Sequence, residues 1–401
     1  MSKKNITIIG GGPASLMLAC SLDANKFNIS IYEKNTALCR KFLVAGKGGF
    51  NLTHSEELPQ FSDRYYPQKF MLPFLEHFSN SDFRNWLKEI GVETYVGTSK
   101  RVFPIKGIKP IEVLKQIEKQ LEENNVSVFY DHTWQGWKNK ELMFSHNSSL
   151  KNIKTDITVF ALGGASWKVT GSSGDWGKYF NEKKIEVQPF YPSNCSYKVD
   201  WPDVFIKSNH GQALKNCEFS CGQITRKGEA VITKFGIEGS GIYPLSPEIR
   251  KQLIVNGSAE ITIDFKPDLL LGDIKDRLNN KGRSSIKDVL EKKINLSSIQ
   301  TELLKIASSK EEYNDINILS QLIKSYPLTI VDFAPIDEAI STVGGISLDE
   351  VNDNLELNKL PGHYCIGEML DWDAPTGGYL LQACFSMGKF LASRLNAKQV
   401  S

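Results

Sequence analysis

The chain opens on a short apolar, β-branched run at 5–9 that breaks off at Gly10-Gly11-Gly12-Pro13-Ala14-Ser15. Apolar residues then recur at helical spacing at Leu16, Ala19, Cys20 and Leu22, and a second run at 28–32 alternates before ending on Glu33. An unbroken β-branched run suits a strand covered on both faces, and a 3.6-residue period suits a helix lying on it. The pattern therefore predicts a β-α-β unit. Amphipathic spacing predicts helices near 67–78, 81–90 and 110–124, followed by a strand over 126–130. Runs at 133–137 and 141–146 predict a small hairpin, and 156–162 predicts a buried strand that stops at Gly163-Gly164.

The pattern changes after about Pro189. Alternating runs at 218–224, 229–233 and 258–265, with a turn signal at Lys227-Gly228, predict an antiparallel sheet or barrel. Residues 267–325 turn Lys/Glu/Leu-rich with helical periodicity. Strands return at 328–333 and 339–343, and the C-terminal part predicts a strand at 364–366 and a helix over 377–395. The expected fold is α/β: a split Rossmann-like domain interrupted by an antiparallel β-barrel-like domain that carries a small helical insertion. The predicted boundaries are 1–188 and 344–401 for the split domain, 189–266 and 326–343 for the barrel, and 267–325 for the helices.

Composition changes this picture little. Hydrophobic residues make up 41% and charged residues 23% of 401, which are ordinary globular values, and the net charge of +2 points to neither nucleic acid nor an anionic membrane as partner. A small-molecule partner is expected, with the oligomeric state left open. Seven cysteines form no C-x-x-C pair, which suits reduced thiols in a cytoplasmic protein without a metal site. Lys3-Lys4 and the apolar stretch ending at Cys20 resemble a secretory signal, but Gly10–Pro13 interrupts it.

Four segments carry chemistry. Gly10-x-Gly12-x-x-Ser15 lies between a predicted strand and helix, where glycines let backbone N–H groups approach a pyrophosphate at a helix start. Glu33 ends the next strand, where an acid accepts both ribose hydroxyls and disfavours a 2′-phosphate. The loop 45–54 holds Gly46, Gly48 and Gly49, an entropic cost that suits backbone lying against a cofactor. Gly163-Gly164 ends a strand, and Gly367-Glu368 and Gly377-Gly378 precede a long apolar helix whose start suits a flavin N1–C2=O locus.

These segments together resemble the FAD-dependent NAD(P)/FAD oxidoreductases distantly related to glutathione reductase, a group that includes bile-acid dehydro-steroid reductase-like flavoproteins. The resemblance also runs through RVFP at 101–104, GIEGSGIYPLS at 236–246, STVGGISLDEV at 341–351 and GEMLDWDAPTGGYLLQA from Gly367. It implies FAD held by Gly10, Gly12, Pro13, Ala14, Glu33, Lys34, Gly48, Asn51, Thr53, Gly163, Gly367, Glu368, Gly378, Tyr379 and Leu380. There are two departures: Gly49-Phe50 stands where many relatives carry Arg-Cys or Phe-Cys, and Ser15 replaces the usual third glycine.

The expected activity is an FAD-dependent oxidoreductase working through hydride at flavin N5 on an unknown substrate. No second G-x-G-x-x-G is present, so NAD(P)H as reductant would dock transiently, and Cys39 lacks the partner that disulfide reductases place nearby. Lys47, His54, Glu238, Tyr243 and Asp371 are the candidate acid–base or anchoring residues. An NAD-only dehydrogenase and a non-enzymatic flavin-binding protein are the alternatives.

Overall fold

In a computed structural model, residues 2–44 and 50–398 are described, and the chain divides into two compact units, 1–192 with 336–401, and 193–335. The first is built on a parallel sheet of five strands in the order His363–Cys365, Ile157–Phe160, Lys4–Ile9, Phe27–Tyr32, Ser127–Phe129. Ile6, Ile8, Ile31, Val159 and Phe160 are fully buried, as expected for strands covered on both faces. The edge strand comes from the C-terminal part of the chain, so the sheet is completed from both ends of the sequence.

The C-terminal helix Tyr379–Ala397 seals that closure by packing on the first helix, Pro13–Ser21. Gly388 sits at the crossing, and a Cβ there would lie 2.4 Å from Ala14 O. A mid-helix glycine costs about 1 kcal/mol against alanine, offset here by close helix approach. The helix begins two residues later than the periodicity predicts, because Gly377 and Gly378 take φ of +119° and +99° and lie outside it. The predicted 133–146 hairpin is also extended, by a third strand at Ser149–Ile153. That strand is mostly exposed and polar, so hydrophobic alternation could not reveal it.

The second unit contains a seven-stranded antiparallel sheet in the order 326–330, 259–264, 213–221, 224–232, 236–238, 197–198, 332–333. Its outermost strands, Tyr326–Ile330 and Asp332–Phe333, are separated in sequence by Val331 alone. A single residue joins the two edges, so the sheet is nearly closed, which protects edges that would otherwise be unpaired. Helices Leu271–Asn279, Ser298–Ile306 and Ile316–Lys324 fall within the 267–325 stretch and bury apolar faces at Ile274, Leu278, Leu303, Leu304, Leu319 and Ile323.

Candidate cofactor-binding site

A cleft of about 390 Å³ opens at the C-terminal ends of the parallel strands, and every residue lining it belongs to the first unit. Strand Lys4–Ile9 delivers Gly10–Ala14 to one wall, strand Phe27–Tyr32 delivers Glu33 and Lys34, strand Ile157–Phe160 delivers Gly163, and strand His363–Cys365 delivers Gly367 and Glu368. This is the location a parallel open sheet favours for ligands.

The glycine loop is shaped for close approach. Gly12 is the N-cap of helix Pro13–Ser21, no side chain caps that helix, and a Cβ at Gly12 would meet nothing within 4 Å. The uncapped first-turn N–H groups and the helix dipole therefore face open space suited to a phosphate. Ser15, in the third position of the fingerprint, is fully buried and donates its hydroxyl to Gly10 O, which ties the loop back on itself. Glu33 is buried; its Oε2 accepts Gly11 N–H at 2.6 Å, and its Oε1 accepts Asn35 N–H at 2.8 Å and Asn35 Nδ2 at 2.7 Å. These neutral donors take three of the carboxylate's roughly four acceptor positions and aim it beside the loop, leaving one on Oε2 for a ribose hydroxyl. The cleft wall also carries Trp134, whose buried Nε1–H has no acceptor among the described residues. Phosphate-ready backbone, a ribose acceptor and an orphaned donor together fit FAD, which supplies hydride chemistry at flavin N5 when bound.

The remaining candidates separate into groups. Thr53, His54, Tyr379 and Gly378 are not among the residues lining this cleft and come together at the start of the C-terminal helix. Thr53 Oγ1 donates to Gln382 Oε1 at 2.8 Å, and the His54 ring stacks on Tyr379 with centroids 5.1 Å apart. A Cβ on Gly378 would lie 2.5 Å from Thr53 Cα, so the glycine is required by Thr53 backbone. The Thr53 backbone is thus a reason for this glycine independent of the flavin ring that the sequence rationale gives. Leu380 packs against the hydrophobic core, and Asn51 precedes the strand Thr53–His54. Glu238 and Tyr243 lie in the second unit, where burial, then the Glu238 carboxylate, push the Tyr243 phenol upward in pKa. Asp371 accepts Gly344 N–H at 3.0 Å. Lys47 and Gly48 fall outside the described residues.

Sequence reading missed the polar cluster behind Tyr379. Arg64 holds Glu56 through Nη2–Oε1 at 2.5 Å and Nε–Oε2 at 3.1 Å, and Tyr379 OH donates to Glu56 Oε2 at 2.8 Å. Burial alone would raise the Glu56 carboxyl, but the Arg64 and Tyr379 hydrogen bonds outweigh it and leave the pKa below its ordinary value. His54 Nδ1 accepts Glu56 N–H at 3.3 Å and Nε2 lies 3.2 Å from Ser99 O, which fits a neutral ring protonated on Nε2. Burial lowers its pKa despite the nearby Glu56, and burial lowers His77 and His363 as well. Glu56 and Arg64 belong to no glycine motif and are eight residues apart, so no spacing rule singles them out.

The sign of the pH dependence follows. Above about pH 6.5 these histidines are neutral in both folded and unfolded chains. As pH falls below that value the unfolded chain binds protons first, so stability drops. Glu56, with a depressed folded pKa, contributes stability that is present above about pH 4.3 and is lost as pH falls through the folded value. Thermal melts are expected to fall in two stages on acidification, and His54→Gln should flatten part of the upper stage. An unaltered slope between pH 5 and 6.5 in that variant would show that His54 takes no part.

A parallel sheet closed from both chain ends, a glycine loop at a helix start and an acid ending the second strand define an FAD-binding oxidoreductase of the two-ended dinucleotide-domain type. The chain belongs to the HI0933-like Rossmann-domain family, whose pattern it matches over residues 4–394. It is similar along its length to the 3-dehydro-bile acid delta(4,6)-reductase of Clostridium scindens, 23% identical, covering 98% of this chain and 99% of the relative. It is also similar to the ribosomal RNA dihydrouridine synthase of Haemophilus influenzae, 23% identical over 94% of this chain and 95% of that one. In fold it matches the open conformation of a flavocytochrome c3 fumarate reductase, with TM-score 0.51 and 12% identity over 99% of this chain and 79% of that one. A 3-ketosteroid delta1-dehydrogenase from Sterolibacterium denitrificans gives TM-score 0.50 and 12% identity over 99% of this chain and 100% of that one. No helix among the described residues is long and apolar enough to cross a membrane, and no metal-holding cluster occurs among them.

Proposed function

We propose that the protein is an FAD-dependent reductase of a carbon–carbon double bond conjugated to a carbonyl, reduced in turn by NADH or NADPH. The cofactor reading is carried by one observation: the Gly10–Ala14 loop, Glu33, Gly163, Gly367 and Glu368 all line a single cleft. The substrate class is supported by what the two full-length relatives' names share. A delta(4,6) 3-dehydro steroid and a uridine ring each present a C=C bond polarised by a carbonyl, and each named activity saturates it. In this reading Gly10, Gly12, Pro13 and Ala14 bind the pyrophosphate, and Glu33 with Lys34 the adenosine ribose. Gly163, Gly367 and Glu368 line the path toward the flavin, with Asn51, Thr53, Gly378, Tyr379 and Leu380 nearer the ring.

The overall reaction consumes NAD(P)H, a proton and the unsaturated carbonyl compound, and yields NAD(P)⁺ and the saturated one. The purified protein should carry flavin absorbance that NADH or NADPH bleaches anaerobically. A 3-oxo-Δ4 steroid or a uridine-containing RNA should then restore the absorbance, and which one does so assigns the substrate. A colourless protein that binds NAD would favour the NAD-only alternative, and bound flavin that neither nucleotide reduces would favour a non-enzymatic role. Glu33→Ala should weaken FAD by about 1–3 kcal/mol, the range for charge-assisted hydrogen bonds. Unchanged FAD affinity would remove Glu33 from the ribose.

A further inference from the structure

Lys41 belongs to none of the glycine motifs, yet it stands in the cleft wall on helix Arg40–Val44. Its ammonium lies 2.9 Å from Ser166 Oγ and 3.3 and 3.2 Å from the two Glu368 carboxylate oxygens. Glu368 Oε1 also accepts Thr342 N–H at 3.3 Å, and Thr342 Oγ1 accepts Ala165 N–H at 3.0 Å. Four segments remote in sequence therefore meet in one polar knot. Ser166 is fully buried, and the Glu368 and Lys41 side chains are 16% and 31% exposed, so the pair is shielded from solvent but still able to face a ligand.

The charges in this cleft need balancing. FAD brings a pyrophosphate with two negative charges to the Gly10–Ala14 loop, and the cleft lining already holds three carboxylates, Glu33, Asp175 and Glu368, beside the cations Lys34, Arg40, Lys41 and Lys178. Glu33 is held by the neutral N–H donors of Gly11 and Asn35. Gly367, which adjoins Glu368, lies close to the phosphate loop, since a Cβ on it would be 3.2 Å from Ala14 Cβ. Lys41 is the cation in ion-pair contact with Glu368. Like charges in a partly desolvated site repel by amounts that matter to binding, so an unpaired Glu368 would oppose the dinucleotide.

We propose that Lys41 is a positioning residue for FAD: by pairing with Glu368 it cancels that carboxylate's charge and makes the cleft compatible with the cofactor's pyrophosphate. The inference rests on the FAD reading above. It separates from a merely structural staple by charge rescue, because a staple cannot be restored by removing its own partner.

The test compares wild type, Lys41→Met, Glu368→Gln and the double variant, with FAD affinity read by fluorescence titration and thermal midpoints read on the apoproteins. Lys41→Met should weaken FAD by roughly tenfold, a modest value because the pair is partly screened. Glu368→Gln sets the reference for loss of the carboxylate itself, and the double variant should bind FAD within about threefold of that reference and more tightly than Lys41→Met. Wild-type affinity in Lys41→Met, or a double variant as weak as Lys41→Met, overturns the proposal. If Lys41→Met does not fold, the double variant and Lys41→Arg decide: a double variant near the Glu368→Gln reference and a Lys41→Arg near wild type support charge balance, and a double variant weaker than that reference overturns it. Failure of wild type itself to bind FAD would sink the cofactor reading and this inference with it, whereas a flavin-binding wild type with an indifferent Lys41 sinks only the inference.

Discussion

Gly378→Val is expected to destabilise the first unit by roughly 2–5 kcal/mol, the sum of about 1–2 for a left-handed non-glycine residue and about 1–3 for steric overlap. Gly378 has φ +99°, and an added Cβ would lie 2.5 Å from Thr53 Cα and 2.6 Å from Thr53 C. The neighbour cannot swing aside, because what approaches is backbone. Leu52 N–H donates to Val102 O at 2.8 Å, Thr53 pairs with Val102 in register, and Thr53 Oγ1 is tied to Gln382. The loss should appear in thermal or urea melts of the apoprotein as well as the holoprotein. An apoprotein as stable as wild type that has lost FAD would instead place a flavin ring, and not Thr53, against this position.

Gly10→Ala should damage both stability and cofactor binding. At φ +100°, a Cβ would lie 2.4 Å from Ala161 O and 3.0 Å from Ala161 C. Ala161 is held in turn by its N–H to Ile9 O at 2.9 Å, and Gly10 N–H is held by Tyr32 O at 2.9 Å. The turn that aims the loop is thus fixed by the strands on both sides of it. Either the loop moves, and the Gly12 cradle with it, or the central strands separate. We expect a destabilisation of about 2–5 kcal/mol and FAD affinity reduced by more than about a hundredfold, since the helix N-terminus would no longer face the phosphate. Native FAD affinity in a folded Gly10→Ala protein would show that this loop does not hold the pyrophosphate.

Elements with strong periodicity were legible in advance. The helix at 110–124 has Pro110 at its first position and is found at Pro110–Glu123, with Val113, Leu114, Ile117 and Leu121 buried along one face. The capping pair Ser79 and Asp82 starts the helix Asn80–Glu89 close to the expected 81–90. The antiparallel character of the middle section was readable from period-2 alternation. Its barrel-like character was expected too, but the place of closure was not legible, because nothing in the run 326–333 shows that two edges of one sheet meet across Val331.

The same division holds at the site. Strand, glycine loop, helix and terminal acid are consecutive in the chain, and local backbone sterics with a helix start suffice to specify Gly10–Ala14 and Glu33 from sequence alone. The pairing of Lys41 with Glu368, which are 327 residues apart, and the Arg64–Glu56–Tyr379 cluster, which spans 323 residues from Glu56, depend on where the last strand and helix dock. The need for glycine at 378 likewise has a cause, the Thr53 backbone, that its motif does not show. Short-range periodicity and turn chemistry determine which elements exist and where the glycine loop forms. Only the folding of the C-terminal strand and helix back onto the first β-α-β unit decides which charges face one another in the cleft, because contacts at that separation leave no spacing in the chain to read.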